Sequence, residues 1–298
     1  MPEGPQVKRM VEILNDAIRG TRIMNIICHD DRYSPSGSQL RGSAAEFLKE
    51  SRAGGILTIS EIRCHGKFIY LRIRGSNPVQ DQWRVFHTLG MGGGWSISRK
   101  PKKNLCLELV LANNNNGADP FSIYYYDSRR FGTFKFLAGD EGIYALQRKL
   151  TKELGPDLLD QEKPIGVLGF KARLKARKGT WTVAQALMNQ SVVAGIGNYL
   201  KAEIMHDSRV SPHRTLESLT DEEIARLHAA SLDHINRDYQ AKKDRSVPRY
   251  TFSVYNRKTC RDCKKPVKRE KTADKRTSHW CPSCIAQSTE LPDDWNWH

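Results

Sequence analysis

CRDCKKPVKREKTADKRTSHWCPSC, residues 260–284, decides the C-terminal fold. Its four cysteines, Cys260, Cys263, Cys281 and Cys284, stand as C-x2-C-x17-C-x2-C, the spacing of a tetrahedral thiolate zinc site built from two tight knuckles. Four sulfurs close the coordination shell, so the expected metal is one structural zinc ion, with no catalytic cofactor. Four unrelated buried cysteines are the bland alternative, and the polar surroundings count against it. From Lys242 to Arg276 there are 14 Lys or Arg against 4 Asp or Glu. A solvated face mixes its signs more evenly, so this basic hairpin is read as a nucleic-acid footprint.

The charge is not confined to the finger. The 298 residues carry 48 Lys and Arg against 33 Asp and Glu, a formal charge of +15, which favours a polyanionic partner through counterion release. An anionic membrane would give the same sign, but there is no long apolar run and no basic amphipathic helix with a broad apolar face. The N-terminus, MPEGPQVKRMVEIL, lacks a secretory signal. Seven cysteines, an odd number, argue for thiols and a metal site in a reducing compartment and against a disulfide framework. The chain is thus expected inside the cell, wherever the genome is, as a monomer.

Upstream, apolar residues at Val7, Met10, Val11, Leu14, Ala17 and Ile18 trace a helical stripe stopped by Gly20. Then come β-rich runs: RIMNIIC from Arg22, ILTISEI from Ile56, KFIYLRI from Lys67, LCLELVL from Leu105, SIYYYD from Ser122 and TFKF from Thr133. Turn chemistry at 75–78 (GSNP) and 113–117 (NNNNG) suits antiparallel strands. Beyond Leu137 the texture is helical, near 141–154, 184–190, 199–206 and 221–239. The fold class is therefore α+β and multidomain: an N-terminal helix plus antiparallel β-sandwich over 1–136, a connecting helix and linker over 137–163, a helical domain over 164–250, a zinc-finger β-hairpin over 251–288 and a tail over 289–298. The tail, acidic with two tryptophans, reads as a frayed terminus.

The N-terminus carries chemistry of its own. Removal of Met1 would expose the secondary amine of Pro2, which can attack C1′ of a sugar and expel the base, or capture an abasic aldehyde as an iminium. An α-amino group starts near a pKa of about 7.7 to 8.0, and a helix N-terminus disfavours its protonation. Glu3 is placed to shuttle protons. Alone, Pro and Glu in a first helical turn are ordinary capping residues.

Together these pieces resemble the formamidopyrimidine-DNA glycosylase and endonuclease VIII family, in order over nearly the whole chain. PEGP at 2–5 is similar to its catalytic N-terminus, HGKFIYL at 65–71 to its lysine strand and HTLGMGG at 87–93 to its intercalation loop. DSRRFG at 127–132 and LGPDLL at 154–159 resemble further signatures, QSVVAGIGNYLKAE at 190–203 its helix-two-turn-helix, and VYNR at 254–257 the lead into its zinc finger.

The resemblance implies a bifunctional DNA glycosylase and lyase acting on damaged DNA, cutting by β,δ-elimination. It makes Pro2, Glu3 and Lys67 catalytic, with Lys67 facing the amine. Met91, Arg129 and Phe131 would enter the duplex and fill the gap left by an everted base. Asn198, read as capping the helix from Tyr199, and Arg276 would grip the phosphate of that nucleotide. Without the other motifs, Lys67 would be an edge charge, Met91 and Phe131 core residues, and Arg276 one more finger arginine. Gln6 stands where the family commonly has glutamate, and Trp280 and Ile285 depart from the usual flanks of the second cysteine pair. PEGP and the short stretch 238–257 lean toward the endonuclease VIII branch and oxidised pyrimidines; DSRRFG pulls toward ring-opened purines. The alternatives are a non-catalytic zinc-finger architectural protein, which would not need Pro2, Glu3 and Lys67 together, and a metal-dependent nuclease, which needs an open metal site.

Overall fold

The computed structural model describes residues 2–52, 55–75, 82–101, 103–112, 119–177 and 179–286. Met1, the turn at 113–117, most of the one at 75–78 and the tail at 289–298 lie outside them. The chain divides into two compact units, Met1–Glu153 and Leu154–His298.

In the first unit, helix α1 (Gly4–Ile18) buries Val7, Val11, Leu14 and Ile18, the stripe read from the sequence. Its start is a capping box in which Gln6 Oε1 accepts from the Glu3 N–H at 2.9 Å. Nine strands follow: β1 (Arg22–Cys28), β2 (Leu40–Gly42), β3 (Leu57–His65), β4 (Phe68–Arg74), β5 (Gln82–Thr88), β6 (Gly93–Ser96), β7 (Leu105–Ala112), β8 (Phe121–Asp127) and β9 (Thr133–Ala138). Helix α2 (Ala44–Arg52) lies between β2 and β3, and α3 (Gly139–Arg148) follows β9. The strand order is β2-β9-β5-β4-β3-β1-β7-β8-β6. All pairs are antiparallel except β2 with β9, which run parallel, a departure from the purely antiparallel expectation. The sheet folds over at β1, and the two halves meet face to face: His87 of β5 packs on Trp95 of β6 and Tyr125 of β8. One apolar core fills the space between α1 and these layers.

Lys67 was expected in a strand. It sits instead in the two-residue turn between β3 and β4, where His65 pairs with Phe68 and Gly66 takes φ of 57°. The turn is nevertheless well placed. Gly20, just past α1, donates to the Ile59 carbonyl, and Asn15 Oδ1 accepts from the Ile62 N–H, so β3 runs antiparallel to the helix. From Ile59 to Lys67 the strand climbs roughly 25 Å, and from Gly20 back to Pro2 the helix climbs roughly the same. Matched lengths carry the Gly66-Lys67 turn to the level of the N-terminus.

In the second unit, α4 (Val167–Lys175), α5 (Val183–Met188), α6 (Asn198–Asp207) and α7 (Asp221–Lys243) share a core. The first half of the stretch expected to be a linker is packed: Leu158 and Leu159 are buried and the Pro156 carbonyl accepts from Ala194 N–H. The Gln190 side chain staples the two turns before α6, accepting from Gly195 N–H at 3.1 Å and donating to the Ile196 carbonyl at 3.0 Å. Strands β10 (Lys268–Lys271) and β11 (Thr277–Trp280) form the finger hairpin, closed by α8 (Pro282–Ala286).

Two fully buried charges on α6 hold the finger. Lys201 Nζ meets Asp274 Oδ2 at 2.5 Å, and the Glu203 carboxylate accepts from the N–H groups of Ser253, Val254 and Tyr255 at 2.6, 3.0 and 2.7 Å. Removing one partner of such a pair strands the other. Lys201→Met is therefore expected to lower unfolding stability by about 3–5 kcal/mol in guanidinium titration, with Asp274→Asn in the same chain restoring part of the loss.

Candidate functional site

Two groups of the expected residues come together, one in each unit. In the first unit, Pro2, Gln6 and Met10 of the N-terminal segment face Leu89, Met91, Gly92 and Gly93 across an open cleft of about 370 Å³. Pro2 is half-buried and the next residue, Glu3, is 2 % exposed.

The cleft wall is built from two loops locked to each other. At Gly90, φ is 59° and an added Cβ would lie 2.6 Å from the backbone carbon of Phe131, so only glycine lets the 87–93 and 127–132 segments approach this closely. Arg129 Nη1 reaches Met91 Sδ at 3.4 Å. Phe131 is 54 % exposed, a large aromatic ring kept in solvent. Met91, Arg129 and Phe131 thus form one projecting cluster, which is the arrangement a duplex wedge requires.

Asp127 sets that projection. The residue is fully buried, and its carboxylate accepts from Arg129 N–H at 3.0 Å, Gly132 N–H at 2.7 Å and the Tyr33 hydroxyl at 3.0 Å. The first of these is an Asx turn, a local signal that DSRRFG carries in its opening residue. Arg130, at φ of 54°, turns away to pair with Asp30 at 2.7 Å, leaving Arg129 exposed. Below the loops lies His87, fully buried and stacked on Phe134 at 4.0 Å. Its Nε2 accepts from Trp95 Nε1–H at 3.2 Å, so the proton resides on Nδ1, which donates to the Thr133 carbonyl at 3.0 Å. Burial pushes its pKa down to about 4, and the ring is neutral.

In the second unit, the expectation that Asn198 caps α6 does not hold. Gly197 is the N-cap, and the Asn198 side chain, in the first helical position, donates to the Thr277 carbonyl at 2.9 Å. That bond ties the start of α6 to the residue following Arg276, so Asn198 and the exposed Arg276 are brought together at the head of the finger. The four cysteine sulfurs lie within 4.8 Å of one another, with Cys260 to Cys284 at 3.8 Å and Cys263 to Cys281 at 3.4 Å. A tetrahedral zinc with Zn–S of about 2.3 Å needs sulfurs about 3.8 Å apart. The donor set fits, and these four cysteines can hold one zinc ion. The Lys265 backbone amide, together with the other sulfurs, brings the Cys263 thiol down to about 7, towards the thiolate a metal binds. His206, fully buried, bonds Asp262 at 2.7 Å and lies 3.8 Å from Cys260 Sγ, fixing the first knuckle to α6.

Residues 1–134 match the formamidopyrimidine-DNA glycosylase N-terminal domain, and residues 154–247 match the H2TH domain of the same family. The formamidopyrimidine-DNA glycosylase of Desulforamulus reducens is 32% identical, with 95% of this chain and 99% of that protein covered. The chain belongs to the formamidopyrimidine-DNA glycosylase family. The Thermus thermophilus enzyme of that name is 27% identical over 95% of this chain and 98% of its own length. Among solved structures, wild-type Lactococcus lactis Fpg with DNA containing an oxidised pyrimidine superposes with TM-score 0.74 at 23% identity, covering 95% and 99% of the two chains. MutM with DNA containing carbocyclic 8-oxo-G gives 0.74 at 22%, with the same coverage.

This family member places weight on residues that the motif reading left without a role: Asp127 and His87 in the first unit, Lys201 and Glu203 in the second. His87 has a consequence in solution. Its folded pKa lies below its unfolded one, so its contribution is complete above about pH 6.5 and is lost as pH falls from there toward 4. Urea unfolding between pH 7 and 4 is expected to show a stability decline of up to about 3 kcal/mol that His87→Asn removes.

Proposed function

We propose that the chain excises oxidised bases from DNA and then nicks the strand, with the amine of Pro2 as nucleophile. The observation that carries this reading is the position of Pro2: it lines the cleft it shares with Met91, one residue before the buried Glu3. Once Met1 is removed, the Pro2 nitrogen attacks C1′, the N-glycosidic bond breaks and the base leaves with its electron pair, protonated on departure. Glu3 delivers a proton to the ring oxygen so that the sugar opens and the iminium forms. A base takes a C2′ proton, the C–H electron pair passes to the iminium to form an enamine, and its return expels the 3′ phosphate; a second elimination expels the 5′ phosphate, and water releases the amine. Lys67, in the turn carried to the same level, offers positive charge to the phosphates and supports the sugar chemistry.

Met91, Arg129 and Phe131 fill the gap and face the orphaned base, and their joint projection supports that role. Asn198 and Arg276 grip the phosphate of the everted nucleotide, supported by their juxtaposition at the positive end of the α6 dipole. Zinc has a structural part, since four thiolates leave no open position. One chain carries every group named, so a monomer suffices. For the lesion, oxidised pyrimidines are favoured with ring-opened purines accepted, on the ground that only a short segment, 244–252, runs from α7 to the residues capped by Glu203, too little for a base-covering loop. Solved relatives hold DNA containing an oxidised pyrimidine and DNA containing Fapy-dG.

Borohydride trapping on DNA with one abasic site tests the nucleophile. Wild type is expected to give a covalent complex; Pro2→Thr and a form with one extra N-terminal residue are expected to give none while still binding the DNA. Glu3→Gln is expected to trap on the abasic site yet remove intact damaged bases about 10²–10⁴-fold more slowly. Tight binding without trapping by the processed wild type would instead establish a non-catalytic binder.

A further inference from the structure

The outer face of the first unit's sheet carries a feature that the chemistry above does not use. Phe134 and Phe136 of β9 and Val85 of β5 point into the core, so Lys135 and Phe86, paired directly across the ladder between them, face outward together. Arg41 of β2 pairs with Lys135 from the other side. This row floors a groove of about 250 Å³, walled by Arg148 and Lys149. Phe68 completes the floor, its ring edge-on to Phe86 at 5.1 Å and 5.8 Å from Lys149 Nζ. Glu153, which pairs with both Arg148 and Lys149, is the only carboxylate among the lining residues.

Two physical points select the occupant. Like charges placed directly opposite on adjacent strands destabilise a sheet, so Arg41 beside Lys135 favours an anion between them. A bare anion has no use for a half-exposed aromatic floor, whereas an unpaired base stacks on one. The groove also ends close in sequence to the two loops of the wedge. It ends at Thr88 and Thr133, bonded at 2.8 Å, and these stand one residue before Leu89 and two after Phe131.

We propose that this groove binds a single-stranded stretch of the DNA beside the lesion, with phosphates on Arg41 and Lys135 and a base on Phe86. The proposal rests on the function given above and specifies the form of its substrate. Paired DNA cannot occupy the groove in this way, because its bases are stacked on one another and offer Phe86 no face.

The test is the affinity of wild type and two variants for a blunt duplex with an abasic-site analogue, the same duplex with a tail of about six thymidines, and one with a tail of about six abasic spacers, each at two salt concentrations. The thymidine tail is expected to tighten wild-type binding roughly fivefold. Arg41→Glu with Lys135→Glu should abolish that gain and lower the salt slope by about 1.4, the value for two single-strand phosphates. Phe86→Leu should erase only the advantage of thymidine over spacer. Borohydride trapping on a blunt duplex carrying a natural abasic site should be unchanged in both variants, showing that fold and chemistry are intact. A tail without effect on wild type, a tail effect that survives in the charge-reversed variant, or an acidic peptide that competes as well as the thymidine tail would overturn the proposal. Absence of wild-type trapping on the natural abasic site would overturn the nucleophile assignment instead, independently of the tails.

Discussion

Lys201 and Glu203 lie two residues apart on a helix with no solvent on any side. A charge taken out of water costs several kcal/mol unless it finds a partner of good geometry, and each finds one in the finger region: Asp274 for the lysine, three consecutive backbone N–H groups at 253–255 for the glutamate. The finger hairpin and the chain leading into it are thereby fixed to α6 from two directions. Asn198 adds a third tie, to Thr277, from the head of the same helix. A zinc ion in the cysteine cluster would close the far end of the module. A small hairpin with little core of its own is in this way tied to the helical domain that carries it.

The first unit applies the same constraint to a loop. Asp127 is buried and accepts three well-placed hydrogen bonds, two of them from backbone amides inside its own hexapeptide. The loop shape is thus dictated by the needs of one carboxylate, and Arg129 and Phe131 are exposed as a result. The neutral ring of His87 beneath it adds no second charge to the layer that the loops rest on. Exposing a phenylalanine would normally be unfavourable, but a rigid base beneath it removes the alternative of folding the ring inward.

The strands and helices that the sequence made legible are those whose own pattern is strong. RIMNIIC, LCLELVL and SIYYYD alternate or are β-branched, and α1 and α7 have clear stripes and caps. What escaped notice depends on distant partners. GGWS becomes β6 only by pairing with β8, QWRVFHT reads as a strand only beside β4 and β9, and AAEFLKESR and VLGFKARLK are short and weakly patterned. The site follows the same division. The cysteines announce themselves by spacing, and DSRRFG by the turn chemistry of its aspartate. Lys201 and Glu203 look like ordinary surface charges on a helix until their partners, 50 to 73 residues away, are in place. Lys67 was assigned one residue too far into its strand because β-propensity does not locate a turn.

Gln6 illustrates how a departure from the family pattern can be read physically. Its amide oxygen accepts from the Glu3 N–H, the bond a glutamate at that place would also make, so the helix start does not require a carboxylate. The side chain lines the cleft beside Pro2. A second negative charge there would favour the ammonium form of the proline amine and raise the pKa of one of two neighbouring carboxylates. The amide keeps the cap and avoids both effects. On the proposed mechanism, more of the amine is then free to attack near neutral pH, and Glu3 is left as the single carboxylate of the N-terminal turn. A glutamine at this place is, in this environment, compatible with the chemistry and simplifies its protonation.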